Sequence, residues 1–398
     1  MISIGLLPWS SALIWLGLLL FRGQFWKPDQ QLLGIEAADF QIGPQKTDPQ
    51  NSETPRICAV VPARNEAELL PMTLRSLLTQ DYPGEFQVVL VDDHSTDGTA
   101  TVAQQVAIET GQQSQLQILS AEPLPAGWSG KLWAMNQGIQ KAQAFAPDYV
   151  LLTDADIEHD RQNLSQLVAK AQQESLDLVS LMVRLRCESF WEQLLIPAFV
   201  FFFQKLYPFR WVNTPTNPTA AAAGGCILIR QTALDRIGGL QIVRQALIDD
   251  CALANAVKSP PLHSIWLGLT QHTRSLRPYP NLETIWDMVA RTAFTQLSYS
   301  PWLLLGTLIG MVLIYLTPPI ALLVGLVLGK GTIVLAGAIG WGLMTLAYFP
   351  TVRFYECSPV FALSLPAIGF LYTLMTIDSA LRHWQGRGGA WKGRVYSS

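Results

Sequence analysis

The chain has 398 residues, 49% hydrophobic and only 14% charged, with a net charge of −3. Soluble proteins usually carry about 25% charged residues, so the composition argues against two or three soluble domains and for one soluble domain joined to membrane segments. The small net charge offers nothing to nucleic acid. Five cysteines, Cys58, Cys187, Cys226, Cys251 and Cys357, are scattered singly. That pattern argues against a zinc motif or a disulfide framework and fits a reducing, cytoplasmic setting.

In chain order, Ser3–Phe21 is apolar over a length that spans a bilayer. It has no basic stretch before it and no clear cleavage site after it, so residues 1–22 are expected to form an anchor. Arg22 and Lys27 follow and place the next segment in the cytoplasm. Residues 23–55, rich in Gln, Asp and Pro, are expected to be a linker. From Arg56 the pattern alternates. Strands are expected at Ile57–Pro62, Phe86–Val91, Leu116–Ser120, Tyr149–Thr153 and Leu176–Val183. Helices are expected at Glu66–Thr79, Asp97–Thr110, Lys131–Ala144 and Leu164–Gln173. This is an α/β pattern with a mostly parallel, Rossmann-like sheet, in which ligands bind at the carboxyl ends of strands. Phe190–Trp211 is apolar but broken by polar residues and two prolines. A spanning helix there would put Asp154 and Asp250 on opposite sides of a membrane, so an interfacial segment with its aromatics at headgroup depth is expected. Trp302–Leu328, Thr332–Phe349 and Val360–Ile377 are candidate spans, the first carrying Pro318-Pro319, and residues 381–398 form a basic tail. Three spans would put the C-terminus outside, whereas Arg382, Arg387, Lys392 and Arg394 favour the inside. A split at the proline pair or a re-entrant segment would resolve that conflict.

The acidic clusters fall at strand ends. Glu66 closes the turn Pro62–Glu66, and Asp92 and Asp93 follow the second strand. A carboxylate after a strand can accept hydrogen bonds from a base or ribose; Asp97 has the place of a helix cap. Lys131 opens a helix after Trp128-Ser-Gly130, where an ammonium beside a helix N-terminus suits phosphate. Asp154 and Asp156, two residues apart in extended chain, point to one face. Such a pair can hold Mg²⁺ or Mn²⁺ and leave positions for phosphate oxygens and water. Asp249-Asp250 precedes a helix at Ala252–Val257, and capping is the alternative account of that pair.

The order Val-Pro-Ala-Arg-Asn-Glu, Val-Asp-Asp-His-Ser-Thr-Asp-Gly-Thr, Gly-Lys-x-x-Ala-x-Asn-x-Gly, Asp-Ala-Asp, Gly-Gly and Asp-Asp resembles a family 2 inverting glycosyltransferase with a GT-A fold. The likeness covers residues 56–300. Trp-Ser-Gly-Lys-Leu-Trp at 128–133 and Ile-Asp-Asp-Cys-Ala-Leu at 248–253 most resemble bacterial hopene-associated glycosyltransferases and, more distantly, ceramide glucosyltransferases. The resemblance implies an enzyme of the bacterial inner membrane, its catalytic domain in the cytoplasm, that uses a nucleotide-sugar donor, Mg²⁺ or Mn²⁺, and a lipid acceptor. It implies that Glu66 and Asp92 or Asp93 hold the nucleoside, that Lys131 neighbours the diphosphate, and that Asp154 and Asp156 bind the metal. Gly224 and Gly225 would line the acceptor side, and Asp250, with Asp249 beside it, would be the general base. The family's Gln-x-x-Arg-Trp motif is reduced here to Arg291 within Met288–Thr292. Arg291 would still contact the diphosphate, while the lost tryptophan counts against the alternative of a processive polysaccharide synthase. A catalytically silent nucleotide- or lipid-binding relative is the other alternative. His94, His263 and His272 lack metal-ligand spacing.

Overall fold

The computed structural model describes residues 6–32, 54–259 and 264–387, with backbone at 390–391 and 394–395. Residues 1–5 of the expected anchor, 33–53 of the expected linker, His263 and Lys392 lie outside the described residues. The chain divides into two compact units. A sheet unit comprises Gln30–Leu185 and Trp211–Arg277; a helical unit comprises Met1–Asp29, Arg186–Arg210 and Pro278–Ser398.

The sheet unit is built on eight strands: β1 (Ile57–Ala63), β2 (Phe86–Asp92), β3 (Leu116–Ser120), β4 (Tyr149–Thr153), β5 (Ile157–Glu158), β6 (Leu178–Arg184), β7 (Cys226–Arg230) and β8 (Ile265–Ser275). Their order is β3-β2-β1-β4-β7-β6-β8-β5. Four of the seven neighbour pairings among the described residues are parallel, so the sheet is mostly parallel. β1 and β4 are buried along their whole length, as expected of strands covered on both faces. The five strands read from sequence are present, with ends shifted by at most two residues. β5, β7 and β8 were not anticipated. They make the half of the sheet beyond β4 mixed: β7 lies antiparallel between β4 and β6, β8 runs parallel to β6, and β5 antiparallel to β8.

The register fixes where the acids lie. Ala63 pairs with Asp92 and Asp92 with Ser120, so β1, β2 and β3 end at one edge. β4 runs parallel to β1 and delivers Asp154 to that same edge. β7 runs the other way, with Cys226 opposite Thr153. Gly224 and Gly225, just before β7, are therefore brought beside Asp154.

In the helical unit, Pro301–Val327, Gly331–Phe354 and Pro359–Trp384 are each long and apolar enough to cross a membrane. The N-terminal helix Leu6–Phe21 is shorter, 16 residues, or about 24 Å against a bilayer core of about 30 Å. Pro318-Pro319 does not split the first run. Val312–Leu316 forms a π-helical turn ahead of the prolines, and the helix resumes at Thr317. A π turn is one way a helix absorbs such a disruption. Pro318 has no N–H to offer the Ile314 carbonyl one turn back; Trp15 donates its ring N–H to that oxygen at 2.9 Å instead.

The helix Phe190–Leu206 opens with a capping box between Ser189 and Glu192. Its aromatics divide. Phe201 is fully buried, 5.2 Å from the Tyr348 ring, and Phe202 stacks edge-on to Tyr372 at 4.8 Å, whereas Phe190 is exposed.

Candidate active site

All of the sequence-derived site residues except Arg291 lie in the sheet unit. Arg291 follows the helix Leu282–Ala290 in the helical unit and is exposed.

The turns after β1 and β2 are tied together by side chains. Asn65 and His94 adopt left-handed backbone conformations, with φ of 53° and 55°. Thr99 Oγ1 accepts the Glu66 N–H at 3.0 Å, and Asn65 Oδ1 accepts the Thr96 N–H at 2.8 Å. Asp97 accepts the Thr99 N–H, as its expected capping place implies, and the Ala67 N–H as well, both at 3.0 Å. Asp93 is buried, with Arg64 Nη1 3.5 Å from its carboxylate and His94 Nδ1 at 3.2 Å. Asp92 is half-buried and accepts the Ser95 N–H at 3.2 Å.

The Asp154-Ala-Asp156 turn is held at three backbone points. Asp154 donates its N–H to Gly225 O, Thr73 Oγ1 donates to Ala155 O at 2.7 Å, and Leu276 N–H donates to Asp156 O at 2.9 Å. Beneath it His159 is buried, and burial pulls its pKa down to about 4, so the ring is neutral. Asn163 Nδ2 donates to His159 Nδ1, which leaves Nε2 to donate to Thr153 Oγ1 at 3.0 Å. Thr153 Oγ1 in turn donates to Gly225 O at 2.8 Å. This chain of bonds fixes β4 to the Gly224-Gly225 segment.

Lys131, Asp154, Asp249, Asp250 and Gly224 come together. Ser129 caps the helix Gly130–Ala142, and Lys131 in its first turn places Nζ 2.7 Å from Asp154 Oδ1. Burial opposes the charge on Lys131, but Asp154, Asp249 and Asp250 outweigh it and raise its pKa. Asp250, in the first turn of the helix Asp249–Lys258, accepts the Cys251 N–H at 2.7 Å and the Gly224 N–H at 2.9 Å. Burial first, and the Asp249 charge second, push Asp250 up to about 6. A side chain at Gly224 would come within 3.6 Å of Lys131 Nζ and 3.4 Å of Asp250 Oδ2. Glycine thus keeps open the space between lysine and acid. Gly138 has a different reason: a Cβ there would stand 2.4 Å from Val60 Cγ1, so it lets the helix lie on β1.

Sequence reasoning missed Arg277, Ser275, His159 and Lys258. Arg277 donates from Nε to Asp156 Oδ2 at 3.0 Å and from Nη2 to Glu66 Oε1 at 2.8 Å. Ser275 Oγ donates to the same Asp156 oxygen at 2.9 Å. The spacing Ser275-x-Arg277 at a strand end was the available signal, by the same two-residue logic applied to Asp154 and Asp156. Lys258 is buried and donates to the carbonyls of Val212, Thr214 and Thr219 at 2.6–3.1 Å and of Trp211 at 3.4 Å. Burial lowers its pKa to about 8.

Among the described residues no group of three or more His, Cys, Asp or Glu side chains is placed to hold a metal ion, which leaves the pair Asp154 and Asp156. Two carboxylates suffice for a hard cation whose remaining positions go to substrate phosphates and water. The donor set fits Mg²⁺ or Mn²⁺ on those terms.

The fold is that of a GT-A glycosyltransferase. A mannosyltransferase from Pyrobaculum calidifontis, solved in complex with GDP-Man and Mn²⁺, superposes with a TM-score of 0.53 at 19% identity, over 95% of this chain and 99% of its own. Residues 58–238 match the family model Glycosyl transferase family 2, and the chain carries a family 2 glycosyltransferase domain. Among curated relatives, beta-monoglucosyldiacylglycerol synthase of Nostoc sp. is 26% identical over 50% of this chain and 40% of its own length. Undecaprenyl-phosphate 4-deoxy-4-formamido-L-arabinose transferase of Pseudomonas savastanoi is 26% identical over 45% of this chain and 48% of its own. The chain thus spans less than half the length of these relatives.

Proposed function

We propose that the protein is a membrane glycosyltransferase that moves a sugar from a nucleotide-diphosphate donor, a UDP-sugar by family resemblance, to a lipid hydroxyl. The observation that carries this reading is the cluster of Asp250, Lys131 and Asp154 around Gly224. A carboxylate with a pKa of about 6 is ionised at neutral pH yet basic enough to take a hydroxyl proton. Asp250 removes that proton as the acceptor oxygen bonds to the anomeric carbon, from the face opposite the diphosphate. The bond from that carbon to the diphosphate oxygen breaks in the same step, which inverts configuration. Lys131 offsets the charge left on the diphosphate. Glu66 and Asp92 or Asp93 hold the nucleoside, and Gly224-Gly225 leaves room for the acceptor. Asp154 and Asp156 would hold a divalent cation with the diphosphate, which supplies further charge neutralisation there.

The lipid acceptor is supported by two observations: three helices long and apolar enough to cross a membrane, and relatives named as a diacylglycerol glycolipid synthase and an undecaprenyl-phosphate transferase. The place proposed is the bacterial cytoplasmic membrane, with the sheet unit facing the cytoplasm. A hopanoid-related or glycerolipid hydroxyl is the acceptor class. Mass spectrometry of lipids from cells with and without the protein tests this. One added hexose on a lipid, absent when Asp250→Asn replaces the wild type, is the expected result. A polymeric product, or an unchanged product from Asp250→Asn, would sink it.

A further inference from the structure

Both carboxylates of the Asp-Ala-Asp turn are already engaged by cations of the protein. Lys131 Nζ lies 2.7 Å from Asp154 Oδ1, and Arg277 Nε lies 3.0 Å from Asp156 Oδ2. Resting on the cation site of the proposed function, we infer that Arg277 gates that site: it holds Asp156 against a metal ion until a nucleoside diphosphate draws the guanidinium away, so that cation and donor enter as a pair.

Glu66 and Asp156 expose only 9% of their side chains each. Two carboxylates so placed need a countercharge, and one guanidinium serves both through different N–H groups. Ser275 Oγ adds a second bond to the Asp156 oxygen that Arg277 uses. A dication approaching Asp154 and Asp156 therefore meets an ammonium on one side and a guanidinium on the other, and must displace or repel both. A diphosphate reverses the balance. Its oxygens match the planar fork of arginine, and its charge receives the two cations as they leave the carboxylates. Arg277 is placed for such a move. It lies two residues past Ser275, the last residue of β8 in the ladder with β5, and its side chain is 33% exposed.

The test is a Mn²⁺ titration of the full chain in detergent, read from the electron paramagnetic resonance of free Mn²⁺, with and without saturating UDP, and then GDP. Wild type is expected to bind Mn²⁺ at least about tenfold more tightly with nucleotide, within the usual range of coupling. Arg277→Met is expected to tighten Mn²⁺ binding without nucleotide by about tenfold and to reduce the coupling to about twofold. Arg277→Lys, which keeps the charge and loses the fork, should fall between. If Arg277→Met binds Mn²⁺ alone no better than wild type while Asp156→Asn loses binding, the gate is overturned and the cation site survives. Absence of Mn²⁺ binding to wild type with either nucleotide removes the cation site and the gate together. Should Arg277→Met not fold, wild type decides: equal Mn²⁺ affinity with and without nucleotide overturns the gate.

Discussion

The two halves of the central sheet contribute opposite things to one edge. In β3-β2-β1-β4 the strands run in parallel, and the ends of β1, β2 and β4 each deliver carboxylates: Glu66, then Asp92 and Asp93, then Asp154 and Asp156. In β7-β6-β8-β5 the directions are mixed, and what reaches that edge includes donors to those carboxylates: Ser275 and Arg277 to Asp156, and Arg277 to Glu66. Parallel strands joined by helices repeat one kind of end, so like charges accumulate. An antiparallel neighbour begins where its partner stops, so it can bring donors to that place. The mixed half thus supplies partners to Glu66 and Asp156, while Lys131 and Arg64, on the parallel side, answer Asp154 and Asp93.

That contrast can be broken at several points. The largest effect is expected from Asp250→Asn, which should lower kcat by about 10³-fold, the range for losing a general base, while UDP binding measured by calorimetry stays within a factor of three of wild type, as expected for a transition-state role. A chelator should likewise remove most activity, with recovery on adding Mg²⁺ or Mn²⁺; full turnover in chelator would take Asp154 and Asp156 out of the reaction. Lys131→Met is expected to reduce kcat/KM by about 10²-fold, the scale for one lost oxyanion partner. It should also move the acidic limb of the pH profile up, because Lys131 holds the Asp250 pKa down.

A smaller effect separates the two aspartates. Activity should rise with pH as Asp250 ionises near pH 6, since its pKa is raised to about 6 and only the ionised form is a base. Asp249 raises that pKa, so Asp249→Asn should shift the limb to lower pH while leaving a plateau. A limb that stays in place would deny the coupling. The smallest catalytic effect belongs to Gly138→Ala, which overpacks Val60. It should cost about 1–3 kcal/mol of stability by denaturant melting, with an unchanged pH profile.

The parallel half was legible because its strands are short, largely apolar runs, two of which, β2 and β4, are stopped by acids. Leu116–Ser120 and Tyr149–Thr153 have the ends that the pattern implied. β8 was not, because Ile265–Thr270 is buried while the rest alternates with exposed Gln271, His272 and Arg274. Half of that strand therefore reads as a polar loop. Cys226–Arg230 was hidden for another reason: its apolar run follows Gly224-Gly225, which read as lining rather than as the approach to a strand. Arg277 could not be paired with Asp156 or Glu66 from one sequence. Their meeting depends on β8 lying between β6 and β5, and no local period encodes that order. The bond from Trp15 to the Ile314 carbonyl, beside the proline pair, was hidden in the same way, because the two residues lie 299 positions apart.

Lys258 holds residues 211–219 through main-chain oxygens alone. Every residue type offers the same carbonyl, so the ammonium fixes the path of this segment without regard to which side chains it carries. Asn213 adds a tie that does depend on sequence, since its amide bonds both the N–H and the carbonyl of Leu267.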